Sequence, residues 1–148
     1  MNHLLQHYCQ IRNELVDYLE KLPVNNRETQ IYEGWTVKDL IAHLSGWAEY
    51  QVTCLKLFVS GVKDIPKPKV QDRNEESVEK RKILAVKEIK EEFITLSADM
   101  VRAYGNLSNE QWQKPIWEGT KTTPEKFIKI EIKHYQETHF PELKRVTG

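Results

Sequence analysis

His43, Cys54, Glu131, His134 and His139 are the side chains whose types and spacing could do chemistry. Imidazole and carboxylate groups from facing helices build the metal sites of helical bundles, where three protein donors leave a position open for water or substrate. At about 100° per residue, a helical projection puts His43 beside Trp47 and Cys54 on the edge of an apolar face. His134 shares a stripe with Phe127 and Ile130, and His139 shares a neighbouring stripe with Ile128, Ile132, Tyr135 and Leu143, so both can face inward. Glu131, three residues before His134, falls in the middle of that apolar arc, where an ionised carboxylate needs a partner. The plainer reading makes each histidine a hydrogen-bonded boundary residue. Spacing alone leaves both readings open.

Other reactive residues carry less. Cys54 could be a nucleophile beside His43, but a cysteine on an apolar face ordinarily behaves as inert core. His3 and His7 have a chelating spacing of four residues in a turn expected to fray. Nothing suggests Ser-His-Asp chemistry or a phosphate-cradling glycine loop. Trp47 is expected in the core. Trp35, Trp112 and Trp117 flank helix ends and loops, where they could close over a ligand cavity.

The elements that must position these residues are helical. Leu4, Tyr8, Ile11, Leu15, Tyr18 and Leu22 step by four and three, the stripe of a helix ended by Pro23. Thr36 and Asp39 form a capping-box signature before a face of Leu40, Leu44, Trp47, Gln51, Cys54 and Phe58, and Gly61 supplies the stop. Residues 62–72, with Pro66 and Pro68, read as an extended connection long enough to cross a bundle end. A third helix begins near Asn74 and carries Val86, Ile89, Phe93, Leu96, Met100 and Tyr104, with a break near Leu84 as an option. Its charged face, Glu88 to Glu92, reads as solvated surface. Ser108 with Gln111 opens a short turn, and Thr123-Pro124 starts a fourth helix running to about Arg145. No strand pattern is evident. The expectation is an all-α four-helix bundle, one domain over residues 1–148.

Composition narrows the function classes. Lysine plus arginine number 22 and aspartate plus glutamate 22, so no global field would hold nucleic acid or an anionic membrane. Cys9 and Cys54 lack any paired spacing and suit reduced thiols. With no secretory signal pattern and no apolar run near the ~20 residues of a membrane span, a cytoplasmic protein is expected.

Gly34-Trp35-Thr36-Val37-Lys38-Asp39-Leu40-Ile41-Ala42-His43-Leu44 and Gly46-Trp47 resemble the second-helix signature of the DinB-like superfamily. The likeness extends to Arg73-Asn74-Glu75, to His134-Tyr135-Gln136-Glu137 and to Phe140-Pro141-Glu142-Leu143, and is strongest to the branch containing colibactin self-protection proteins. It implies a four-helix bundle, often a homodimer. Metal-binding members hold a divalent ion with one histidine from the second helix and two from the last. His43 and His134 match, while the family's His-Tyr-x-x-His places Thr138 where the third ligand stands, with His139 one residue late. Five residues on a regular α-helix leave two side chains about 140° apart. Reading Thr138 as an insertion calls for a π-bulge, to which Pro141 contributes by denying the Glu137 carbonyl its amide partner. Otherwise Thr138 replaces the ligand, and Glu131 or water completes a weaker site, or no metal binds.

The resemblance further implies a detoxification or stress-protection enzyme for a small electrophilic metabolite, hydrolase or thiol transferase, with Zn, Ni, Mn or Fe on His43, His134 and His139. Tyr135 or Glu131 would then move a proton or orient water. The alternative is a non-catalytic bundle that sequesters a small molecule.

Overall fold

Asn2 opens α1 (His3–Lys21) by accepting the Leu4 amide on its side chain at 2.7 Å. The computed structural model describes residues 2–22, 29–32, 34–67 and 69–147. Pro23, expected to end α1, and Pro68 lie outside these. Leu5, Tyr8, Ile11, Leu15 and Leu19 form the buried stripe, while Leu4, Tyr18 and Leu22 border it, so the apolar face is turned slightly from the expected one. Each fully buried leucine contributes roughly 2 kcal/mol by leaving water.

The segment before the second helix is not purely loop. β1 (Gln30–Tyr32) pairs antiparallel with β2 (Trp35–Thr36), turning at Gly34, whose φ of +85° is the left-handed conformation glycine tolerates. This corrects the expectation of no strand. Two strands of three and two residues are too short for alternation to register.

α2 (Val37–Val59) starts at the expected capping box, Thr36 accepting the Asp39 amide while Asp39 accepts that of Thr36. It is buried on several sides because α3 (Val70–Lys80) and α4 (Val86–Gly105) both pack on it. The expected third helix is therefore two. α3 begins four residues earlier than Asn74, shortening the extended connection, and the chain breaks over residues 81–85, which include Leu84.

A fully buried Arg81 stands at that break. Its guanidinium donates to Glu92 at 2.5 Å and to the Ser77 carbonyl at 3.2 Å, and reaches Glu49 at 3.4 Å; Ser45 donates to the same Glu92 carboxylate. Gly46 lets α3 approach, since a Cβ there would overlap Ser77. Glu92 is thus half-buried and engaged, against the expectation of a solvated face.

The short α5 (Asn109–Trp112) has the Ser108–Gln111 box, and Thr123 caps α6 (Pro124–Lys133) with proline in its first turn. The last helix then widens into a π-helix, His134–His139, and continues as α7 (Phe140–Thr147). α1, α2, α4 and this last segment enclose one apolar cluster, and the described residues are all-α but for the hairpin. No helix among the described residues is long and apolar enough to cross a membrane.

Candidate metal centre and ligand pocket

The π-helix settles the phase of the last helix. A five-residue separation that would splay side chains on an α-helix brings them to one side when the turn holds an extra residue. The Phe140 amide donates to the Tyr135 carbonyl, five residues back, while Pro141 has no amide to offer Glu137. His139 consequently reaches His43 across the helix interface, Nε2 to Nε2 at 3.3 Å, with ring centroids 4.9 Å apart. His134 joins from the preceding turn, its ring centroid 5.8 Å from that of His139. The three histidines singled out in the sequence line one pocket.

Two nitrogens bound about 2.05 Å from a tetrahedral ion lie about 3.3 Å apart, so the His43–His139 spacing fits a shared ion. Burial, with His139 and His134 adding to it, pushes His43 down to about 3, and burial with His134 pushes His139 down to about 4. Both rings are therefore neutral near pH 7 and keep lone pairs for a ligand. Their Nδ1 atoms are buried without a hydrogen-bond partner, each at a typical cost of about 1–3 kcal/mol. Among the described residues no three His, Cys, Asp or Glu donors already stand together at ligand distances; His134, the exposed member, is the one set back.

The histidines face a pocket of about 490 Å³. Its walls include Trp35, Trp47, Trp117 and Phe127, and Thr138, the surplus residue of the π-turn, also lines it. The β-hairpin sets Trp35 5.1 Å from the His43 ring. Trp47, expected in the core, is only partly buried and belongs to this wall, its indole donating to Asn74 at 2.7 Å. Trp117 packs edge-on against Phe127 and donates to the Pro66 carbonyl at 3.1 Å, which also accepts the Tyr50 hydroxyl at 2.7 Å. Both long connections thereby border the pocket, through Lys67 from one and Trp117, Thr120 and Thr122 from the other. Trp112 does not take part; it is buried and stacked on Tyr104.

Glu131 also lines the pocket and has the partner its position demanded. Gln51 donates to its carboxylate at 2.6 Å and is itself oriented by the Tyr104 hydroxyl, which donates to the Gln51 carbonyl oxygen at 2.8 Å. Burial pushes Glu131 up to about 7, although Gln51 and Tyr135 as donors pull the other way. Tyr135 is fully buried behind the pocket, between Glu131 and the Tyr8 hydroxyl 3.4 Å away, and so supports the site without facing it. The Gln51–Tyr104 link had no sequence signal beyond a polar residue in an apolar stripe. Cys54 is buried, and that burial holds its thiol up, as for inert core. His7 lies by Gln136 at 3.1 Å, away from the three-histidine site.

Comparison with family models, with curated proteins and with solved structures finds no match for this chain.

Proposed function

We propose that this chain is a DinB-like four-helix bundle, one cytoplasmic domain able to form a homodimer, that protects against a small electrophilic metabolite as a hydrolase or thiol transferase. His43, His134 and His139 would hold a divalent ion, Zn, Ni, Mn or Fe. The observation that carries the reading is the convergence of three histidines on an apolar pocket, made possible by a π-turn. When bound, the ion supplies Lewis acidity, which polarises an electrophile or acidifies a nucleophile. The chain does the rest: the neutral imidazoles offer their lone pairs, the tryptophan walls exclude water and take up the apolar body of the substrate, and the connections meeting at Pro66 close its mouth.

The test uses untagged protein. Zn2+ at a hundredfold excess over its Kd should stabilise wild type by about 2.7 kcal/mol, and His43→Ala and His139→Ala, checked by circular dichroism, should lose that increment. No uptake of Zn, Ni, Mn or Fe by folded wild type would overturn the metal centre. The apolar walls also favour a second reading, a sequestering protein, which bound small molecule recovered without turnover would support.

A further inference from the structure

The pocket wall is mostly apolar in area, and among the polar groups that interrupt it, the histidines, threonines and Asn74, one carboxyl is built in with its own set of partners. Glu131 is 7 % exposed, and residues from α1, α2, α4 and the π-helix are committed to it or to its partners. The Tyr104 hydroxyl donates to the Gln51 carbonyl oxygen, and in that orientation Gln51 offers Glu131 its N–H. Tyr135 lies against the carboxyl from behind, and Tyr8 supports Tyr135. These donors fit a hydrogen-bond acceptor at residue 131, and the arrangement holds it against the pocket rather than letting it swing to solvent.

The walls opposite offer the reverse. The indole N–H groups of Trp47 and Trp117 are spent on Asn74 and on the Pro66 carbonyl, leaving these rings their carbon faces and edges for a ligand. Lys67, the other formally charged side chain in the lining, is exposed and sits on the connection, on a different element from Glu131.

We infer that the pocket selects a ring-bearing small molecule carrying an O–H or N–H group, which it donates to Glu131 while its apolar body lies among Trp35, Trp47, Trp117 and Phe127. This deepens the proposed function by naming the ligand class of the same pocket, and it needs no metal. A volume of about 490 Å³ accommodates a body of one or two fused rings. A ligand whose donor is methylated covers the carboxyl without adding a hydrogen bond to those from Gln51 and Tyr135, so its remaining acceptor capacity is desolvated and unused.

Matched pairs differing only in O–H against O–CH3 test this directly: phenol with anisole, and 1-naphthol with 1-methoxynaphthalene, titrated into the full chain by calorimetry or ligand-observed NMR. Naphthalene serves as the size control. At about pH 8, where the Glu131 carboxyl is mostly ionised, wild type should bind each hydroxyl compound about tenfold more tightly than its ether, and 1-naphthol about tenfold more tightly than naphthalene, the value of one hydrogen bond to a charged acceptor. Glu131→Gln, which places an amide donor in the same wall, should cut that preference to about threefold or less while leaving ether binding in place. If Glu131→Gln loses its helical circular dichroism, Glu131→Asp replaces it, drawing the carboxylate back by one methylene; it should weaken the hydroxyl compounds more than the ethers. Equal binding of a pair by wild type, or a preference that survives in the folded variant, overturns the inference while leaving the pocket as a binding site. Binding of none of the compounds overturns the pocket reading and the inference with it, whereas the zinc experiment above reports on the histidines alone.

Discussion

The Arg81 junction and the histidine pocket are both polar clusters inside this molecule, and they are built on opposite principles. At the α2–α3–α4 junction Arg81 is fully buried, but its charge is answered by Glu92 and Glu49 and its donors by the Ser77 carbonyl. At the pocket, two neutral imidazoles share one short contact and leave both Nδ1 atoms unmet, beside a carboxyl that burial holds near neutrality. The first cluster is closed by its own pairing; the second opens onto an apolar-walled pocket. Full pairing is the mark of architecture, and polar groups left unpaired beside a cavity mark the place where a functional site is sought.

Acid should separate the two most strongly. In metal-free protein His43 and His139 have folded values of about 3 and about 4 against 6.5 unfolded, so the unfolded chain binds more protons and stability falls as pH drops below about 6.5. Glu131 acts oppositely, about 7 folded against 4.5 unfolded, its contribution falling as pH rises through that window. Two imidazoles against one carboxyl leave a net loss on acidification between pH 6.5 and 4.5. Urea midpoints across this range measure it, and a variant lacking both histidines should show a reversed or flat slope. Next in size, Arg81→Ala strands a half-buried Glu92 carboxylate and should cost about 3 kcal/mol in denaturant unfolding, without altering zinc uptake. The smallest effect belongs to Glu131→Gln, whose carboxyl is already close to half-protonated at pH 7; its stability should stay within about 1 kcal/mol of wild type while ligand preference changes. A large destabilisation there would make the pocket cluster architectural too, and erase the contrast.

How much of this was legible in the sequence follows the range of the interactions. Caps at Thr36, Ser108 and Thr123 and the stop at Gly61 are local, and they stand where the sequence puts them. The π-turn was legible as one of two alternatives, because the resemblance makes Thr138 read as an insertion and Pro141 bears on the same turn. Arg81 was not: within Glu79-Lys80-Arg81-Lys82 it looks like any solvated charge, and only α2 and α4, brought together by folding, distinguish it. The break before α4 was legible as an option near Leu84 and no more than that, since residues 81–85 contain neither proline nor glycine. Trp47 was assigned to the core because a helical stripe tells which side is apolar and says nothing of a cavity beyond it.

The Pro66 carbonyl ties two chain segments to a single atom. Tyr50 anchors the first connection to α2, and Trp117 anchors the second connection to the first. The two segments share this latch, and Ile65 from one and Ile116 and Trp117 from the other are seated in the same core. Their opening should appear as one kinetic event, with the amides of residues 62–67 and 116–122 exchanging hydrogen at a common rate that a bound ligand slows for both alike.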